Sequence, residues 1–103
     1  MRIISGIYKG RRFTPPASLK ARPTTDFAKE GLFNVLANEI DIEEAQVLDL
    51  FAGSGSISFE FVSRGAGHTT SIEQSFQHGA FIKKTAQELN IKTLSVLKAD
   101  VFR

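Results

Sequence analysis

The chain of 103 residues contains no cysteine. No disulfide, zinc–thiolate cluster or cysteine nucleophile can be built from it, which excludes enzymes that attack a base through a thiolate within this chain. The same lack fits a reducing compartment. No apolar run approaches the roughly 20 residues of a membrane span. The opening Met1-Arg2-Ile3-Ile4-Ser5 lacks the long apolar stretch of a signal peptide. The expectation is a cytoplasmic protein with no membrane partner. Proline is scarce, and none follows Pro23. Acidic residues are missing from the first 25 positions, which carry Arg2, Lys9, Arg11, Arg12, Lys20 and Arg22. Residues 26–103 reverse the balance, with seven basic and eleven acidic side chains. A basic head on an acidic body suggests a polyanion partner for the head; a solvated hairpin is the simpler alternative.

A hydrophobic share of 42% suits a globular domain, and the length allows one small domain or part of a larger one. The head reads as a hairpin: Arg2–Ser5 and Arg12–Thr14 as strands, Gly6 and Gly10 in the turn, Pro15-Pro16 as the stop. Residues 17–24 read as an irregular linker. A helix follows, capped by Thr25, with Ala28, Leu32, Val35 and Leu36 as its apolar face. Gly31 within it suggests a close contact.

An alternation comes next. Gln46–Leu50 is expected as a buried strand, Ser56–Ser63 as a helix, and Thr69–Glu73 as a strand. Phe76–Leu89 is expected as a helix with Gly79, Ile82, Ala86 and Leu89 on one face, and Leu94–Lys98 as a third strand. This order predicts parallel pairing through right-handed crossovers, hence an α/β, Rossmann-like fold.

The chemistry concentrates at Asp49-Leu50-Phe51-Ala52-Gly53-Ser54-Gly55, where a strand meets an acid, two glycines and a helix start. In a parallel sheet, ligands bind beyond the carboxyl ends of the strands. Asp49, Glu73 and Asp100 fall at three such ends. Gly53 and Gly55 are expected to let the backbone approach a ligand. Glu73, 20 residues after Gly53, suits ribose hydroxyls. Asp100 could take the exocyclic amine of adenine, and Asp49 an ammonium group. Phe51 belongs to this stretch; core packing is its simplest role and stacking on a cofactor the alternative. Phe33, Phe59, Phe61, Phe76 and Phe81 are expected to pack, Lys83-Lys84 to be solvated, and His68 and His78 to be a loop and a helix-surface residue.

Two negatives narrow the ligand. A nicotinamide-binding unit places a third glycine where this chain has Ser58. No Gly-Lys-Ser/Thr follows the glycines, so no Walker-type phosphate loop is present. An acid just before the loop disfavours pyrophosphate and favours a ligand with an ammonium, a ribose and an adenine, as in S-adenosylmethionine.

The stretch Val47–Gly55 resembles the first motif of class I S-adenosylmethionine-dependent methyltransferases. Arg2-Ile3-Ile4-Ser5-Gly6, Lys9-Gly10-Arg11, Arg22-Pro23-Thr24-Thr25-Asp26, Glu30-Gly31-Leu32-Phe33-Asn34 and Ser63-Arg64-Gly65-Ala66 narrow the resemblance. Together they resemble the RsmD-type family of 16S ribosomal RNA guanine-N2 methyltransferases. The resemblance implies that Asp49, Gly53 and Gly55 hold the methionine end of the cofactor, that Glu73 binds its ribose, and that Asp100 and Val101 frame its adenine. It implies that Arg2, Lys9, Arg11, Arg12 and Arg22 meet phosphates of ribosomal RNA or the small ribosomal subunit. Residues 1–24 would then be a basic hairpin and linker, and residues 25–103 the cofactor-binding portion, incomplete at its C-terminus.

The family's catalytic Asn/Asp-Pro-Pro-Phe/Tyr motif after the fourth strand is absent, so no catalytic residue and no metal ligand is expected here. Phe27-Ala28 stands where many relatives carry a basic residue. The family's sheet order leaves the first strand with an open edge, through which self-association is possible. A nicotinamide-dependent oxidoreductase fragment and a non-catalytic RNA-binding module are the competing readings.

Overall fold

The computed structural model describes residues 1–16, 25–50 and 52–99. The expected linker, Phe51, Asp100 and Val101 lie outside them. Helix α1 spans Asp26–Glu39, and Thr25 caps it by accepting from the Ala28 N–H at 3.1 Å. A short 3-10 turn, Ile42–Glu44, leads into strand β1, Gln46–Asp49. Helix α2 (Ser56–Ser63), strand β2 (His68–Glu73), helix α3 (Phe76–Glu88) and strand β3 (Leu94–Lys98) follow. The sheet is parallel in the order β1-β2-β3, with Asp49 opposite Ser71 and Glu73 opposite Lys98. This is the Rossmann-like alternation that the sequence pattern predicts.

The α2 helix is the centre of the packing. Phe59 enters one core cluster with Ile3, Ala52, Ile82 and Ala86. Phe61 enters a second with Phe33, Ile42 and Ala66. Phe33 and Phe61 meet edge to face at 4.7 Å, and the Arg64 guanidinium lies 4.6 Å from the Phe33 ring centroid.

The N-terminal segment closes by one antiparallel bridge, Arg2 to Arg12, rather than by two full strands. It docks on α2. Gly6 has φ +91°, and a Cβ there would stand 1.9 Å from the Ser63 carbonyl oxygen, so only glycine fits this approach.

A buried ion cluster fastens this docking. Lys29 and Glu60 are both fully buried, with Lys29 Nζ 3.5 Å from Glu60 Oε1. Glu60 also accepts from the Ile4 and Ser5 N–H groups (2.9 and 3.1 Å) and from Arg64 Nε (2.9 Å). Lys29 donates to the Arg2 carbonyl and to Ser56 Oγ. Burial pushes the Lys29 ammonium below its ordinary value, and the Glu60 carboxylate opposes that shift.

Several expectations are corrected. The inward face of α1 carries Lys29 and Phe33, while Ala28, Leu32 and Val35 are exposed. The helix turns toward α2, where Phe33 meets the ring of Phe61 and Lys29 meets the charge of Glu60. Gly31 has nothing near it, so no close contact explains it. β1 is not a buried strand: Leu48 and Leu50 are exposed, and no helix among the described residues packs on their face of the sheet. The opposite face, with Val47, Asp49, Ser71, Leu94 and Val96, carries α2, α3 and the N-terminal segment. Phe76 is 74% exposed at the start of α3 and does not pack. His68 is the first residue of β2, and its Nε2 pairs with Ser95 Oγ at 2.9 Å.

Candidate functional site

Asp49 ends β1 beside Ser71, two residues before Glu73 on the neighbouring strand. Two strand-end acids therefore sit on one rim, as the parallel pattern requires. Buried hydroxyls orient the first. Ser58 Oγ donates to Asp49 Oδ2 at 2.6 Å, and Ser71 Oγ donates to Ser58 Oγ at 2.7 Å. Oδ1 accepts no hydrogen bond among the described residues. Asp49 is thus held through one oxygen and presents the other.

Glu73 is tied to the loop. Its Oε2 accepts from the Gly53 N–H at 2.7 Å and its Oε1 from the Ser75 N–H at 3.1 Å. Each oxygen keeps a further lone pair. The loop turns through positive φ at Gly53 (+55°) and Gly55 (+86°). Gly55 has a packing reason that the sequence pattern does not show. A Cβ there would fall 2.9 Å from the Phe59 ring and 3.0 Å from Ile82, so the glycine makes room for the core.

Among the basic candidates, Lys9, Arg11 and Arg12 are exposed. Arg2 Nε lies 3.1 Å from Asp26 Oδ2, off the line of a hydrogen bond. Arg22, like Phe51, Asp100 and Val101, falls outside the described residues. The sequence pattern marks Ser58 only as the residue in place of a third glycine and does not single out Ser71, Lys29 or Glu60. Glu60 had a readable signal: a lone acid inside Phe59-Glu60-Phe61-Val62, a run too apolar for a solvated face.

A family model described as Conserved hypothetical protein 95 matches residues 1–103. The chain belongs to this family. Its curated relatives include Ribosomal RNA small subunit methyltransferase D of Escherichia coli K12, 44% identical over 99 residues that make up 96% of this chain and 45% of the relative. The chain spans about half the length of the curated relatives it matches. The family fold is seen in the Escherichia coli protein yhhF, with a TM-score of 0.85 and 38% identity over 97% of this chain and 54% of that one. Coclaurine N-methyltransferase, solved with SAH bound, shares the fold at a TM-score of 0.60 and 21% identity, covering 76% of this chain and 23% of that one. The Rossmann-like architecture is that of class I methyltransferases.

Proposed function

We propose that these residues form the cofactor-holding portion of an S-adenosylmethionine-dependent methyltransferase acting on guanine N2 of 16S ribosomal RNA. The observation that carries this reading is Asp49 at the end of β1, clamped through Oδ2 by Ser58 while Oδ1 accepts no hydrogen bond from the described residues. That arrangement suits a cationic ligand group and opposes a pyrophosphate. Kinship with relatives named for small-subunit ribosomal RNA methylation supports the substrate class.

When bound, S-adenosylmethionine supplies an electrophilic methyl group on its sulfonium sulfur. Asp49 would hold the ammonium of its methionine end, beside the Gly53–Gly55 turn. Glu73 would accept from the ribose hydroxyls through the lone pairs not used by Gly53 and Ser75. Asp100 and Val101 would frame the adenine, and Phe51 would be a further cofactor contact. Residues 1–24 would serve as the RNA-contacting head through Arg2, Lys9, Arg11, Arg12 and Arg22, and residues 25–103 as the cofactor portion, in a cytoplasmic protein. Phosphate contacts of this kind make binding fall steeply with salt. The target base must leave its stack to reach the methyl group. The motif that would receive the guanine amine needs prolines, and none follows Pro23. These 103 residues by themselves are therefore expected to bind the cofactor without turnover.

Calorimetric titration with S-adenosylmethionine, its demethylated product and NAD tests this. The first two are expected to bind. Asp49→Ala and Glu73→Ala should each weaken them about tenfold or more, since a hydrogen bond to a charged group contributes about 1.5–3 kcal/mol. Binding of NAD alone would replace this reading with the oxidoreductase. RNA affinity without any cofactor affinity would leave a non-catalytic RNA-binding module.

A further inference from the structure

Phe76 is the first residue of α3 and stands 74% exposed. It forms a ridge between two hollows. One, of about 140 Å³, is lined by Phe76, Val96, Lys83 and Lys98. The other, of about 390 Å³, is lined by Phe76, Phe81, Lys84, Thr14 and Pro16. Lysines therefore stand on both sides of one aromatic ring. Among the described residues no carboxylate comes within 4.0 Å of any of the three. Glu73, the cross-strand partner of Lys98, is engaged by the Gly53 and Ser75 N–H groups. Thr14 and Pro16 lie two and four residues after the exposed Arg12, so the larger hollow adjoins the basic N-terminal segment.

An exposed aromatic face framed by lysines that no described carboxylate reaches fits an unpaired nucleobase and its flanking phosphates. Bases stack on aromatic rings whatever their identity, and ammonium groups follow the backbone. A duplex hides its base faces and offers no such partner. We propose that Phe76, Lys83, Lys84 and Lys98 form a second contact for single-stranded RNA, with one base stacked on Phe76 and the lysines on the adjoining phosphates. This rests on the RNA reading given above and extends it from the N-terminal head to the β3 edge of the sheet.

Fluorescence anisotropy with a labelled, mixed-sequence RNA single strand about ten nucleotides long tests the proposal. Phe76→Ala should weaken binding ~5- to 100-fold, the range set by loss of one base–aromatic stack. Phe76→Tyr should bind within about threefold of the wild type, because it keeps the π-face. Removing Lys83, Lys84 and Lys98 together should lower the slope of log affinity against log salt by about 2. Affinity for a duplex of the same sequence should be unchanged by Phe76→Ala. Arg11→Ala with Arg12→Ala is the reference. If that pair loses RNA while Phe76→Ala binds normally, this second contact is wrong and the RNA reading stands. If the wild-type chain does not bind RNA, both fall. A lowered melting temperature for Phe76→Ala, or equal loss on duplex, assigns the ring to packing and overturns the proposal.

Discussion

Ser58 occupies the position where a nicotinamide-binding unit places its third glycine, and the structure shows what the hydroxyl does there. It donates to Asp49 at 2.6 Å while accepting from Ser71. Ser58→Ala should weaken S-adenosylmethionine binding by about tenfold, because Asp49 loses a charge-assisted bond and its fixed direction. Calorimetry on the variant, with a melting curve to confirm folding, checks this; unchanged affinity would mean that Asp49 needs no orientation. Asp49 and Glu73 were legible because strand-end acids fall at fixed places in a parallel α/β pattern. Ser58 and Ser71 were not. A serine in a helix or strand reads as ordinary polar filler until the partner across the sheet is known.

At the level of elements, the N-terminal segment is joined to α2 through charges that burial makes expensive to separate. Lys29, Glu60 and Arg64 share one cluster, and two backbone N–H groups of the segment point into it. Lys29→Met removes one partner and leaves the Glu60 charge less compensated. The loss at neutral pH should be about 3 kcal/mol, the lower end for breaking a buried pair. The pH dependence has a definite sign. Burial lowers the folded-state pKa of Lys29, so the unfolded chain holds that proton more tightly. Between the lowered folded value and the ordinary lysine value near ~10.4, stability gained through Lys29 rises with pH; below that window its charged form is penalised by a constant amount. Denaturant unfolding of wild type and Lys29→Met across this alkaline range should show the wild-type advantage growing. A flat difference would show that Glu60 fully compensates the desolvation. The α1 periodicity chose Leu32 and Val35 as the inward face; an aromatic on Phe61 and an ion pair with Glu60 outweighed them.

At the scale of the whole sheet, the helices among the described residues pack on one face. Leu48 and Leu97 are more than half exposed on the other, and Leu50 is 45% exposed beyond the end of β1. Parallel sheets are ordinarily covered on both faces, and an open apolar edge invites pairing. The chain by itself should therefore associate in a concentration-dependent way. Sedimentation velocity over a range of concentrations should show species larger than the monomer, reduced by Leu48→Lys with Leu97→Lys. A single monomeric species throughout would argue that the exposed leucines are tolerated.

The order of apolar runs, glycine stops and strand-end acids was enough to set the parallel α/β alternation and the place of the Asp49–Gly55 loop. Those features depend on local periodicity, which each segment carries alone. The role of Gly55, the burial of Lys29 and Glu60, the serine hold on Asp49 and the exposure of Phe76 were decided only by tertiary structure. Each depends on which distant side chain arrives within a few ångströms, and nothing in the local pattern of one segment specifies its neighbour.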